Sequence, residues 1–361
     1  SILSSICLST PLENKFTPAE FEIRKKVYKD YLPNASEADI NRLATIENPT
    51  SAQIYAVSGV TDKFVTTSNN SRTISASSAV VQNLNQMQLY SGAAYCLFGL
   101  NNWSCNTRCT KTPNTIFVEK FDTLKEDTTG FIVYNTALKA IIISFRGTLS
   151  IRSAIIDLNL EQVPLESAPA SEGVKVHKGF QAGYKVVQNL IRSNVGKLLQ
   201  SYPDSHIRLT GHSLGGAMAT VAALDLATYF PNQASKIQIY TYGQPRVGNP
   251  AFSTRVNKLF GDRIFRVTHE TDLVTHLPSV NLNGVGAWEH HRREYWIDFN
   301  KQTKTCSSTV NEDKSCSAGQ RDFADLNTLA KMLSLLTRFQ TAGDLIDHLV
   351  GYYDVPFGPF C

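Results

Sequence analysis

Ile207-Arg208-Leu209-Thr210-Gly211-His212-Ser213-Leu214-Gly215-Gly216-Ala217 decides how the rest of the chain is read. Apolar residues alternate up to Gly211, and Leu214, Ala217, Met218, Val221, Ala222 and Leu224 then recur at helical spacing. That change of period predicts a strand, a tight turn and a helix. Gly211-His212-Ser213-Leu214-Gly215 fits G-x-S-x-G, the pattern of a nucleophile elbow. The chemistry accounts for the glycines. A nucleophilic serine must project its hydroxyl from a turn so sharp that its neighbours have no room for a Cβ. The helix behind it then aims unpaired backbone N–H groups and a positive dipole end at the place where an oxyanion forms. A glycine-rich connection that merely contains a serine is the rival, but strand before and helix after are the context that a nucleophile at Ser213 demands.

The pattern stays regular to either side. Val80, Val81, Leu84, Met87, Leu89 and Tyr90 predict a first helix, 130–134 and 140–145 predict two strands joined by a short turn, and a helix over 180–200 leads to the elbow strand. Beyond the elbow come a strand at 237–241, a helix over 251–260, a strand at 263–268 and a hairpin near 294–299. This alternation predicts an α/β fold, a mainly parallel sheet flanked by helices. Residues 1–67 differ in character and read as a partly helical extension ahead of a catalytic domain at 68–361. Residues 18–28 carry apolar positions at mixed helical spacing, and Ser36-Glu37-Ala38-Asp39 reads as an N-cap with an acidic first turn. The polar stretch 61–78 reads as linker. A pro-segment or regulatory cover and a plain structural appendage both fit the extension.

Composition excludes several classes. Of 361 residues, 42% are hydrophobic and 18% charged, which describes an ordinary globular chain with ample core. A net charge of +4 without a long basic run gives no nucleic-acid signal, and no apolar run approaches a membrane span. Ser1 opens the chain without a basic n-region or sustained apolar run, so we read a processed secreted chain whose signal peptide has been removed. Cys96, Cys105, Cys109, Cys306, Cys316 and Cys361 fall in polar, loop-like stretches, and Cys7 stands apart. Histidine and cysteine do not interleave at zinc spacing, so disulfides are favoured over a metal. Sequons at Asn34, Asn69 and Asn102 agree with secretion.

A hydrolase built on this elbow needs an acid and then a base after the serine. Asp272 lies just past a predicted strand, at the carboxyl end of the sheet where functional loops gather. Asp225 falls mid-helix, as a cap or solvated residue, and Asp298 falls in the hairpin. Candidate bases are His276, His290, His291 and His348. His276 could equally line a pocket wall, and His290-His291 beside Arg292-Arg293 reads as a wet loop. His348 sits near the terminus, where a returning segment can reach the elbow.

Phe145-Arg146-Gly147-Thr148, the elbow, Gly243-Gln244-Pro245-Arg246-Val247-Gly248-Asn249-Pro250 and Asp347-His348-Leu349 together resemble the class 3 fungal lipases of the Rhizomucor and Rhizopus type, from about 82 to 361. The resemblance implies an α/β-hydrolase fold and a triad of Ser213, Asp272 and His348. It implies an oxyanion hole from the Thr148 hydroxyl and N–H with the Leu214 N–H, and an Asp157 carboxylate that orients Thr148. It also implies disulfides Cys96–Cys361, Cys105–Cys109 and Cys306–Cys316, with Cys7 outside the pattern.

A family lid would fall at 149–158, where Ile151, Ile155 and Leu158 share a helical face. That face would cover Ser213 when closed and meet lipid when open. Ile155-Ile156 favours a lipid over the polar esters taken by related feruloyl esterases. Ala154 stands where some relatives carry a lid tryptophan, and Thr275 replaces a proline common after the catalytic aspartate. The reading is thus a secreted triacylglycerol lipase acting at a lipid–water interface on glyceride esters. It needs no cofactor or metal, has no nucleic-acid partner or transmembrane segment, and carries an extension that packs on its own catalytic domain. A polar-ester hydrolase and a catalytically silent binding protein are the alternatives.

Overall fold

Strands rich in apolar residues and buried along nearly their whole length are what a sheet covered on both faces selects. In the computed structural model, which describes residues 16–32, 35–46, 49, 51–57, 74–96, 98–123, 127–148, 160–282, 286–320, 347–353 and 356–358, such strands build the centre. Strands β1 (Ile74–Ser75), β2 (Thr115–Thr123), β3 (Thr128–Asn135), β4 (Ala140–Phe145), β7 (His206–His212), β8 (Ile237–Tyr242), β9 (Ile264–His269), β12 (Glu294–Ile297) and β13 (Thr303–Thr305) form one nine-stranded sheet. Its order is β1-β13-β12-β9-β8-β7-β4-β3-β2. The five strands from β4 to β12 run parallel, and both flanks are antiparallel. Short pairs β5 (Gln162–Pro164) with β6 (Lys175–His177), and β10 (Asn281–Leu282) with β11 (Gly286–Ala287), lie outside it. The sheet and its helices give the α/β-hydrolase architecture read from the sequence.

Alternation along each strand feeds two cores. Ile132, Ile141, Ile143, Leu209 and Ile239 pack with helices α6 (Lys178–Ser201), α7 (Leu214–Tyr229) and α8 (Pro250–Phe260). Phe131, Val133, Ile142, Tyr240 and Tyr242 pack on the other face with α4 (Ser78–Ala93), α5 (Asn106–Thr110), Tyr352 and Phe357. Helix α7 is buried on nearly every side and Asp225 is its one charged residue. The mid-helix aspartate is therefore not solvated, as its position suggested. It accepts from Tyr184 Oη, Gln188 Nε2 (2.8 Å) and Arg192 Nε (2.9 Å), which clamps α6 to α7.

Among the described residues of the extension are three helices, α1 (Pro18–Tyr31), α2 (Glu37–Thr45) and α3 (Ser51–Val57). Thr17 and Glu20 close a capping box at the start of α1, and Ser36 caps α2. Buried Arg24 ties the first two helices by donating to the carbonyls of Ala44 (3.0 Å) and Ile46 (2.6 Å). The stretch read as linker ends differently: Ile74–Ser75 forms an edge strand on β13 and Ser78 already begins α4, because Ser77 supplies an N-cap to Val80. Disulfides join Cys105 to Cys109 and Cys306 to Cys316. Cys96 is disulfide-bonded as well; Cys361 and Cys7 lie outside the described residues, as do Asn34 and Asn69, while Asn102 is exposed. Among the described residues, no helix is long and apolar enough to cross a membrane.

Candidate active site

The elbow forms because its glycines leave no alternative. A Cβ on Gly211 would stand 2.3 Å from the Gly215 carbonyl, and one on Gly215 would stand 2.3 Å from the Phe145 carbonyl oxygen. The backbones of β4, β7 and α7 thereby meet at van der Waals distance. Ser213, between strand and helix, is driven to φ +58° and ψ −130°, a region that costs a non-glycine residue on the order of 1–3 kcal/mol. Its N–H donates to the Tyr242 carbonyl (2.8 Å), which pins the strained residue to β8.

Three neighbouring strand ends supply the remaining groups. After β4, Gly147 runs beside the elbow, so that an added Cβ would lie 3.0 Å from Ser213 Cβ. Thr148 follows directly, half-buried, and Leu214 is the first residue of α7, where an N–H has no partner inside the helix. After β8, Gly243 adopts φ +59°, and a Cβ there would fall 2.7 Å from the His348 ring and 3.0 Å from Asp272 Oδ2. Asp272 follows β9, caps the turn at Leu273–His276 by accepting from Val274 N (2.9 Å), and receives His348 Nδ1 at 2.7 Å. All three of Ser213, Asp272 and His348 are buried. The structure therefore gathers the three sequence candidates at the carboxyl ends of the parallel strands.

Hydrogen bonding assigns the His348 tautomer. An ionised carboxylate has no proton to give, so Nδ1 donates to Asp272 and Nε2 carries the lone pair. Neither His348 Nε2 nor Ser213 Oγ has a hydrogen-bond partner among the described residues. Two open polar atoms in a buried site can engage a reacting group, and catalytic hydrogen bonds often tighten only once substrate is bound. Asp272 Oδ2 also accepts from Tyr352 Oη at 2.6 Å. Burial, then the Asp272 charge, pushes the Tyr352 phenol well above its ordinary range, so it remains a donor.

The other candidates take supporting places. His290 and His291 are buried and are not in a wet loop; burial is the main cause holding both pKa values down, His291 to about 3. Arg246 donates to the carbonyls of His276 and Pro278 and also pairs with Glu312, bracing the loop after Asp272. Thr275, in place of the family's proline, donates its hydroxyl to the Asp272 carbonyl (2.8 Å). Asp157 and the 149–158 segment, with Ile151, Ala154, Ile155, Ile156 and Leu158, lie outside the described residues. Sequence reasoning missed Tyr352, although an aromatic hydroxyl four residues beyond the candidate base was a usable signal.

The family model described as Lipase (class 3) matches residues 142–282, which span the strands and loops that hold Ser213 and Asp272. The solved triacylglyceride lipase of Rhizomucor miehei is 32% identical and covers 80% of this chain and 100% of its own, with a TM-score of 0.67. The chain belongs to the class 3 lipase family, and with it to the carboxylic ester hydrolases. A curated lipase of Rhizomucor miehei is 37% identical over 247 residues, 66% of this chain and 65% of that relative's length. The structure of the native Rhizomucor miehei lipase propeptide complex matches with 30% identity and a TM-score of 0.63, over 78% of this chain and 91% of that one.

Proposed function

We propose that this chain is a secreted triacylglycerol lipase that hydrolyses glycerol esters through an acyl-enzyme on Ser213. The observation that carries the reading is the open pair of Ser213 Oγ and His348 Nε2 behind a 2.7 Å His348–Asp272 bond. His348 Nε2 takes the Ser213 proton as the hydroxyl attacks the ester carbonyl, and Asp272 stabilises the imidazolium. The tetrahedral oxyanion lies between Thr148 and the Leu214 N–H, where loss of one donor costs about 3 kcal/mol. Asp157 orients the Thr148 hydroxyl. His348 then protonates the leaving alcohol, and water attacks the acyl-serine by the same route in reverse.

In this reading, residues 149–158 are an amphipathic lid that opens at a lipid surface, through Ile151, Ile155 and Leu158. Residues 1–67 are a pro-segment that packs on the catalytic domain at 68–361 and restrains that opening. Two observations support packing. Fully buried Arg108, which donates to the Pro356 carbonyl (2.6 Å), lies close enough to Tyr28 and Arg24 of α1 to interact electrostatically with both; and the Rhizomucor miehei lipase has been solved with its propeptide. Secretion is supported by the disulfides and by the exposed Asn102, a glycan acceptor in this reading.

The test is tributyrin hydrolysis scanned through the solubility limit, on the full chain and on a chain cut after residue 67, with Ser213→Ala as blank. The proposal requires a steep rise once droplets form, larger in the cut chain. Smooth saturation below the limit with faster turnover of aryl esters would move the protein to the polar-ester hydrolases.

A further inference from the structure

The base candidate His348 lies at 347–349, where a helical segment ends, and the last carbonyls of a helix have no partner inside it. Three consecutive carbonyl oxygens take donors from elsewhere. Asp347 O faces His269 Nδ1 at 3.0 Å, His348 O faces His212 Nε2 at 2.8 Å, and Leu349 O accepts the Phe357 N–H at 2.7 Å. A carbonyl carries no hydrogen, so each ring nitrogen must be the donor: His269 is the Nδ1–H tautomer and His212 the Nε2–H tautomer.

The opposite nitrogen of each ring then holds a lone pair, and each has a donor aimed at it. Lys301 Nζ stands 3.1 Å from His269 Nε2, and Tyr95 Oη stands 2.7 Å from His212 Nδ1. The Tyr95 hydroxyl in turn accepts the Gly147 N–H at 3.1 Å. Burial holds both imidazoles below their ordinary pKa, which keeps them neutral. Phe357 stacks on the His212 ring at 4.0 Å and 12° and prevents it from turning.

We propose that His212 and His269 are positioning residues for catalysis: two neutral imidazoles of opposite tautomer grip the backbone at 347–348 and so fix the His348 ring against Ser213. Tyr95 extends the grip to Gly147, so that the oxyanion segment and the base share one network. The inference rests on His348 being the base. It also gives His212, the x of the G-x-S-x-G motif, a role of its own, since its side chain points away from the reacting atoms and into the support of the base.

Opposite tautomers demand opposite replacements. A glutamine amide nitrogen reaches the place of Nε2, and an asparagine amide nitrogen the place of Nδ1. On the full chain, kcat and KM for a soluble short-chain p-nitrophenyl ester are measured with the melting temperature of each variant. His212→Gln and His269→Asn keep kcat within about threefold, while His212→Asn and His269→Gln lose about 10- to 100-fold in kcat with KM little changed. Equal losses for both replacements at each position, or losses that simply follow melting temperature, overturn the proposal. If the imidazole variants do not fold, Tyr95→Phe decides: it unlocks the His212 tautomer and lowers kcat at unchanged KM, and an unchanged kcat overturns the proposal. His348→Ala is run alongside. Retained activity there would remove the base reading itself, whereas lost activity with no glutamine–asparagine reversal removes only the grip.

Discussion

Asp225 and Asp272 are both almost fully buried aspartates, and each accepts from a tyrosine hydroxyl and from a nitrogen-bearing side chain. They differ in where the network ends. Around Asp225, the hydroxyl, the amide and the guanidinium meet both carboxylate oxygens, and the arrangement closes on itself between α6 and α7. Around Asp272, the chain runs through His348 and stops at Nε2, with Ser213 Oγ equally open. A closed network around a buried charge satisfies that charge and is costly to break. An open one leaves, in the proposed function, a base and a nucleophile free to meet substrate. Burial alone does not set Asp272 apart from Asp225; the loose end of its network does.

The largest effects should fall on the open network. Ser213→Ala is expected to lower ester hydrolysis by roughly 10⁶-fold, and Asp272→Asn, which presents the wrong partner to the imidazole, by about 10⁴-fold. Both are read as kcat on tributyrin, alongside melting curves that should change little for Ser213→Ala, since that hydroxyl makes no bond among the described residues. A residual rate near wild type in either variant would break the comparison at its catalytic end.

Asp225→Ala should do the reverse. Arg192 and Tyr184 would lose the anion that holds them, and removal of one partner from a buried ion pair costs about 3–5 kcal/mol. Urea unfolding should show that loss while kcat per folded molecule stays at wild type. A catalytic defect larger than tenfold in the folded fraction would mean that the α6–α7 clamp reaches the active site after all.

Glu312 sharpens the contrast with a pH dependence. Burial alone would raise its pKa, but Arg246 and the His290 N–H hold it down at about 2, against 4.5 for a free glutamate. A carboxylate depressed in the folded state stabilises it fully above the unfolded pKa and loses that contribution as pH falls from about 4.5 towards about 2. The full contribution is on the order of 3 kcal/mol. The stability gap between wild type and Glu312→Gln should therefore be wide at neutral pH and shrink by more than half by about pH 3. A gap that is constant with pH would show that the Arg246 brace works through packing and not through charge.

Much of this was legible in the residues, for reasons that also mark the limits. Runs such as 130–134 and 140–145 can only be strands buried on both faces, and the glycines around Ser213 dictate a turn that tolerates no side chain, so sheet and elbow follow from local sequence. Thr115–Thr123 was not read as a strand because it is a half-exposed edge, where polar and apolar residues mix and no period stands out. Asp225 misled because it was judged alone. An otherwise apolar helix leaves no face to water, so its single charge had to be buried and paired. His290 and His291 misled through their arginine neighbours, since the loop is held inside by Glu312 and Asn257, far away in sequence. Nothing local links Tyr95 or His269 to Ser213. Those partnerships exist only once the sheet brings its strand ends together.

The smallest effect is the most discriminating, because it compares one atom with one atom. Tyr184 Oη donates to Asp225 and Tyr352 Oη donates to Asp272, each as a single bond to a buried carboxylate. Replacement of either tyrosine by phenylalanine deletes one hydrogen bond to a charged group and leaves the ring in place, a loss of about 1.5–3 kcal/mol in stability. On unfolding curves, Tyr184→Phe and Tyr352→Phe should therefore look alike. Catalysis should separate them. Asp272 Oδ2 is shared between Tyr352 and His348, so loss of the phenol leaves the carboxylate held by Val274 N and His348 alone, and the imidazole paired with it is less firmly aligned. We expect Tyr352→Phe to lower kcat about three- to tenfold at unchanged KM, and Tyr184→Phe to leave kcat untouched. Equal kcat values in the two variants would mean that the tyrosine beside Asp272 is as purely structural as the one beside Asp225, and that orientation of the triad rests on the backbone grip at 347–348 alone.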